Sequence, residues 1–89
     1  MSAEEVIREA AGICRKYSAK KVILFGSRAK GTATERSDID IAVSGVVDFI
    51  QLMEEVETIP TLYTVDLVDM DTCGNTLLLE DIKEYGREI

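Results

Sequence analysis

Histidine is missing altogether from this 89-residue sequence, and so is tryptophan. Without an imidazole there is no histidine general base, no Ser–His or Cys–His pair and no histidine metal ligand. Cysteine occurs only at Cys14 and Cys73, with no CxxC pair, so a zinc site is disfavoured. Two thiols so far apart read as reduced, partly buried side chains rather than a disulfide framework. Proline is nearly absent too, with Pro60 standing alone, and no glycine- or serine-rich stretch marks a linker. Residues 1–89 are therefore expected to form one domain, with no internal repeat. A domain of this size buries roughly 60–65% of the surface its unfolded chain exposes. The longest apolar run near the front is Val22-Ile23-Leu24-Phe25. That is far short of the ~20 residues a membrane helix requires. The opening Met-Ser-Ala-Glu-Glu has neither the basic start nor the apolar core of a signal peptide, which points to the cytoplasm. Positive charge is also scarce: 10 Lys and Arg face 17 Asp and Glu, for a net charge of −7. Such a surface repels polyanions and disfavours nucleic-acid binding. A single triphosphate escorted by Mg²⁺ stays open, because the metal reverses the local charge.

What is present is an ordinary apolar fraction of 46%, arranged in short periodic stretches. Ser2 followed by Glu5 has the capping-box form of a helix start. Val6, Ile7, Ala10, Ile13, Cys14 and Tyr17 then recur at three- and four-residue steps, predicting a helix to about Ser18. The β-branched, apolar segment from Lys21 to Phe25 reads as a buried strand ending at Gly26. Ser27 to Ser37 is small, polar and charged, a short helical turn plus a loop. Asp38 to Val43 alternates carboxylate and apolar residues as a second strand. Val46 to Glu57 is read as a helix with Val46, Ile50, Met53 and Val56 on one face. Leu62 to Val68 gives a third strand. Asn75 caps a last helix carrying Leu78, Leu79, Ile82 and Tyr85, closed by Gly86. The link between the first two strands is short for a crossover, so they are expected to be antiparallel. The second and third flank a helix and suit a parallel crossover. The fold class is thus α/β of the α+β type, a small mixed sheet covered by helices.

Three features carry chemistry. Gly26-Ser27 closes the first strand, where glycine permits close backbone approach and N–H groups opening a helical turn attract an anion. Arg28 and Lys30 follow closely enough to be candidate phosphate contacts. Next comes Asp38-Ile39-Asp40. Side chains at i and i+2 of a strand share a face, so two carboxylates would stand side by side while Ile39 enters the core. Like charges so placed repel unless a cation lies between them, and hard oxygen ligands suit Mg²⁺. The third feature is Asp66, a charge inside the apolar run Val65-Asp66-Leu67-Val68 that is costly if buried alone. Asp69 and Asp71 lie where that strand gives way to loop and read as surface residues.

Spacing joins these pieces. Residues 28 through 37 separate Gly26-Ser27 from Asp38-Ile39-Asp40, and that pattern resembles the nucleotidyltransferase superfamily that includes DNA polymerase β and the kanamycin nucleotidyltransferases. The stretch Gly26-Ser27-Arg28-Ala29-Lys30-Gly31 through Ser37-Asp38-Ile39-Asp40 is most similar to the minimal nucleotidyltransferases, which are often paired with a helical HEPN-type partner as antitoxin and toxin. The resemblance spans nearly the whole chain and implies a polymerase β-like fold. It implies that Gly26 and Ser27 hold the β- and γ-phosphates of a triphosphate, ATP above others. Asp38 and Asp40 would coordinate Mg²⁺ in a two-ion site. Asp66 matches a third acidic position that serves as metal ligand or as base toward an attacking hydroxyl. Arg28, Lys30 and Ser37 would contact phosphate. The implied reaction is nucleotidyl transfer to a hydroxyl, with a tyrosine of a HEPN-type toxin as acceptor and Leu77-Leu78-Leu79 as a candidate part of the interface. A noncatalytic antitoxin acting by occlusion, and nucleotidylation of a small molecule, are the rival readings. A homodimer is a further expectation for so small a subunit.

Overall fold

The computed structural model describes all of residues 1–89, and its first element shows how local sequence sets the start of the chain. Helix α1 spans Ala3–Lys16. The Ser2 side chain accepts from the Glu5 N–H at 3.2 Å, and the Glu5 carboxylate accepts from the Ser2 N–H at 3.1 Å, completing the capping box. Val6, Ala10, Ala11 and Cys14 form its buried stripe. The helix stops at Lys16, short of the expected Ser18, because Tyr17 is its C-cap and Ser18 turns left-handed with φ 71°.

Strand β1 (Lys21–Phe25) runs into a four-residue helix, α2 (Ser27–Lys30). Strand β2 (Ile39–Ser44), helix α3 (Phe49–Val56) and strand β3 (Val65–Asp69) follow. Helix α4 (Thr76–Tyr85) and a two-residue strand β4 (Arg87–Glu88) end the chain. The sheet has the order β3-β2-β1-β4. β1 lies antiparallel to β2 and β4, while β2 and β3 are parallel, and the β1–β2 and β2–β3 pairings are as expected. The mixed sheet covered by helices is as expected. β4 is an addition. Two charged residues carry no strand signal, and Arg87–Glu88 pair because Gly86 brings them alongside β1.

Alternation along the strands divides the core into two faces. Val22, Leu24, Ile39, Ile41 and Val43 pack with Val6, Ala10 and Cys14 of α1 and with Leu52 and Val56 of α3. The opposite face carries Phe25 and Ala42 against Ile82 of α4, with Ile23, Val68 and Leu78 around them. All fifteen buried residues are apolar. Cys14 is buried and unpaired, and burial pushes its thiol up to about 11. Cys73 is likewise free and half-buried, so the chain has no disulfide.

Several expected boundaries move. β2 begins at Ile39 and not Asp38, and β3 begins at Val65 and not Leu62, whose side chain is fully exposed. α3 begins at Phe49, because the Asp48 carboxylate accepts from the Gln51 N–H and fixes the helix start there. Its buried face is also different. Leu52 and Val56 enter the core with Phe49 beside them, whereas Ile50 is 72% and Met53 41% exposed. The helix offers two overlapping apolar stripes; the Asp48 cap and packing against α1 turn the Leu52 stripe inward, and Glu55 bonds Lys16 and Tyr17 of the α1 end at 2.8 Å each. In α4, Leu78 and Ile82 face the sheet and Leu77 is 77% exposed. Asp69 is half-buried at the end of β3 and accepts from the Asp71 N–H, while Asp71 itself is exposed.

Truncation distinguishes the two stripes. Leu52→Ala should cost about 2–5 kcal/mol of unfolding free energy by urea denaturation. Ile50→Ala should stay within about 0.5 kcal/mol of the parent. Equal losses would contradict the orientation of α3.

Candidate functional site

The sharp turn between β1 and α2 sets the site. Gly26 sits at φ 72° and ψ −154°, a region that side chains rarely allow. Its hydrogen also faces the next strand: a Cβ there would press against Oδ2 of Asp40. The backbone conformation requires glycine here, and the absence of a side chain leaves the Asp40 carboxylate its present place. The Gly26 carbonyl accepts from the N–H groups of Ala29 and Lys30, each at 3.1 Å, which starts α2. The earlier N–H groups of that turn have no intrahelical acceptor, the usual condition of a helix start.

Asp40 follows from the register. It is opposite Phe25 on β1 and opposite Asp66 on β3. Because β2 and β3 are parallel, registered neighbours share a face, so Asp40 and Asp66 stand side by side on the α4 side of the sheet with Ala42 and Val68. Asp40 is half-buried, whereas Asp66 and Asp38 are exposed. Burial pushes the Asp40 carboxyl above the ordinary carboxylate range, and the charges of Asp66 and then Asp38 add to it. Asp38 lies one residue ahead of β2, so its place is set by the loop and not by strand alternation.

The other candidate residues are placed differently from one another. Ser27 is half-buried at the first position of α2. The guanidinium of Arg28 donates to the Ser37 carbonyl at 2.8 Å and to the Thr34 carbonyl at 3.5 Å. It also lies over the Tyr63 ring, 5.1 Å from the centroid. Lys30 pairs with Asp81 of α4 at 3.0 Å and lies over the Tyr85 ring at 4.9 Å. The Ser37 hydroxyl accepts from the Thr34 N–H at 2.9 Å. Apart from Arg28 Nε, which is buried without an acceptor, these three side chains each have a polar partner within the protein. Tyr63 was not among the residues singled out from sequence, and only its neighbourhood to Arg28 reveals it.

The donor set bears on a metal. The oxygens of Asp38, Asp40 and Asp66 are hard ligands of the kind Mg²⁺ takes. No three acidic or sulfur side chains are gathered closely enough to hold an ion by themselves. Mg²⁺ commonly binds through one or two carboxylates and completes its shell with water and substrate phosphates, so the residues fit a cation that arrives with a nucleotide. A cleft of about 850 Å³ lies nearby but is not lined by Asp38, Asp40 or Asp66. It is lined by Glu35 and Arg36 of the loop before Asp38 and by Pro60, Thr61, Leu62 and Tyr63 of the segment before β3.

Comparison with known proteins bears on this arrangement. The model of the family described as polymerase beta, nucleotidyltransferase, matches residues 8–89. The chain belongs to that family. It is a nucleotidyltransferase, and its small mixed sheet with helices is the polymerase β nucleotidyltransferase fold. A relative from Methanocaldococcus jannaschii, named "Putative protein adenylyltransferase MJ1379", is 35% identical and is covered over 88% of its length by 91% of this chain. A second protein of that organism, named "Putative protein adenylyltransferase MJ0604", is 50% identical over 55% of this chain and 52% of its own. A crystal structure of a toxin–antitoxin with AMP-PNP superposes with a TM-score of 0.74 at 28% identity, over 92% of this chain and 70% of that one. A variant of the toxin–antitoxin MntA–HpeT gives 0.72 at 26% identity, over 92% and 70%.

Removing the Asp40 charge should stabilise the protein when divalent cations are absent. The raised pKa means that the ionised carboxylate destabilises the folded state, fully so above the folded pKa and less as pH falls through it. Asp40→Asn should therefore raise Tm by on the order of a few degrees at pH 7 in EDTA. The difference should shrink on acidification into the carboxylate range. A lower Tm for the asparagine variant at pH 7 would rule out the repulsion.

Proposed function

We propose that this nucleotidyltransferase transfers AMP from ATP to a hydroxyl on a partner protein, with a tyrosine of a HEPN-type toxin as the acceptor. The observation that carries this reading is the registered pair Asp40 and Asp66 with Gly26 pressed against Asp40. A backbone without a side chain and a pair of uncompensated carboxylates meet at one point, which suits a polyphosphate brought in with cations. The relatives named as protein adenylyltransferases support a protein acceptor. The AMP-PNP complex supports an adenine nucleotide, and the toxin–antitoxin complexes support a toxin partner.

On this reading residues 1–89 work as a single cytoplasmic nucleotidyltransferase domain. Gly26 and Ser27 receive the β- and γ-phosphates, with the N–H groups of the α2 turn as donors. Asp38 and Asp40 hold Mg²⁺, and Asp66 either joins them or accepts the proton of the attacking hydroxyl. When bound, the Mg²⁺ ions would favour ionisation of that hydroxyl and offset the charge of the departing pyrophosphate. The protein supplies position and charge, which dominate in phosphoryl chemistry. The acceptor oxygen bonds to the α-phosphorus, the bond to the bridging oxygen breaks, and pyrophosphate leaves. The partner provides the acceptor surface.

Incubation of the chain with Mg²⁺, α-labelled ATP and lysate of its native host tests this. A labelled protein band is expected from the α-label and not from γ-labelled ATP. Asp40→Ala should reduce the labelling rate by about 100-fold or more, since charge stabilisation by a bound metal is worth several kcal/mol. Labelling that survives in Asp40→Ala would remove this carboxylate from the site. An unlabelled partner that still binds the chain tightly would favour occlusion.

A further inference from the structure

We propose that Arg28 is a positioning residue that holds the approach to Asp38 against the segment leading to β3, and that it does not act as a phosphate ligand. The inference rests on the proposed transfer reaction and adds to it a pair, Arg28 and Tyr63, that the Gly-Ser and Asp-x-Asp pattern does not contain.

Three stretches of chain meet at this guanidinium. Arg28 lies in α2, immediately after the Gly26-Ser27 turn. Its Nη2 reaches the Ser37 carbonyl at 2.8 Å, the residue directly before Asp38, and the Thr34 carbonyl at 3.5 Å. Its Cζ lies over the Tyr63 ring, within the distance at which a cation is attracted to a ring. Tyr63 packs in turn against the main core. The Ile39 N–H donates to the Thr64 carbonyl at 2.9 Å, so the same two strand entrances are already joined one residue further on. Asp38 is thus bracketed between the Arg28–Ser37 contact and the Ile39–Thr64 contact.

This bracket is needed because Asp38 precedes β2 and receives no register from the sheet. The loop offers little else to fix it: the Thr34 and Ser37 mutual contacts are local, and residues 34–36 are exposed. Arginine suits the task for reasons lysine does not share. A planar fork can stack on a ring while directing N–H groups sideways at carbonyls, whereas an ammonium is a compact point charge. One donor, Nε, is buried without an acceptor. That leaves a rival assignment in which a phosphate supplies the acceptor, and Tyr63 separates the two. A phosphate ligand needs the charge of residue 28 and has little use for the ring. A clamp needs both.

The test takes Arg28→Lys, Tyr63→Leu and the double variant of the full chain, with Lys30→Ala as control. Amide hydrogen exchange of residues 34–39 is measured first, without nucleotide. Arg28→Lys and Tyr63→Leu should each accelerate exchange there by about tenfold, the double variant no more than either alone, and Lys30→Ala should leave it unchanged. Exchange at the parent rate in both single variants would overturn the clamp, whether or not the chain transfers nucleotide. In the labelling assay both single variants should lower kcat by about 10–100-fold, the scale of a small misplacement of a reacting group, with KM for ATP changing less. A rise in KM for ATP confined to the Arg28 variants, with Tyr63→Leu at the parent rate, would instead make Arg28 a phosphate ligand. No labelling by the parent chain would count against the transfer reaction alone, because exchange decides the clamp independently.

Discussion

The site depends on one unfavourable contact, the registered neighbours Asp40 and Asp66 on parallel strands. Burial raises the cost of the ionised Asp40 carboxyl, and the like charge of Asp66 beside it adds to that cost. The sheet holds them there because the register is fixed elsewhere. Ile39, Ile41 and Val43 are fully buried against α1 and α3, and a slip of one residue would drive Asp40 into that apolar layer. The strength of the core on one face therefore sets the position of charge on the other. Gly26 belongs to the same constraint, since any side chain there would meet Asp40.

Much of this geometry was legible in the sequence. Strict alternation through Asp38-Ile39-Asp40 and the apolar run at Val22–Phe25 located both central strands, because a period of two has few other physical meanings. The antiparallel and parallel pairings followed from the lengths of the connections. The inward face of α3 was harder. Val46, Ile50, Met53 and Val56 are spaced as well for a helix as Phe49, Leu52 and Val56 are, and only the Asp48 cap and the packing against α1 decide between them. Local periodicity cannot rank two stripes that differ by a fraction of a turn. Strand β4 was invisible for a similar reason: it is made by a partner strand and a preceding turn, with nothing in Arg87 and Glu88 to announce it.

Among the candidate site residues, position is set in two ways, by strand register and by side-chain contacts. Asp40 and Asp66 are brought together because strands transmit position over long separations in sequence. Arg28 and Lys30 looked alike as cations near a phosphate site. The fold gives them separate contacts, one to loop carbonyls and a tyrosine ring, the other to Asp81 and Tyr85 of α4. A long flexible side chain takes its partner from whatever the tertiary structure places nearby, so its contacts are the least readable from spacing alone.

An acidic protein without histidine can still carry out this chemistry if charge, and not an imidazole, sets the reactivity of the hydroxyl. The protein oxygens here do not form a closed cage for an ion. On the proposed function the nucleotide must then complete the coordination it depends on, and cation and triphosphate favour each other's binding. The burial and like charge around Asp40 add to the cation's share, because a bound cation offsets a cost that the free protein bears. Ligand binding would accordingly stabilise the fold as well as assemble the site.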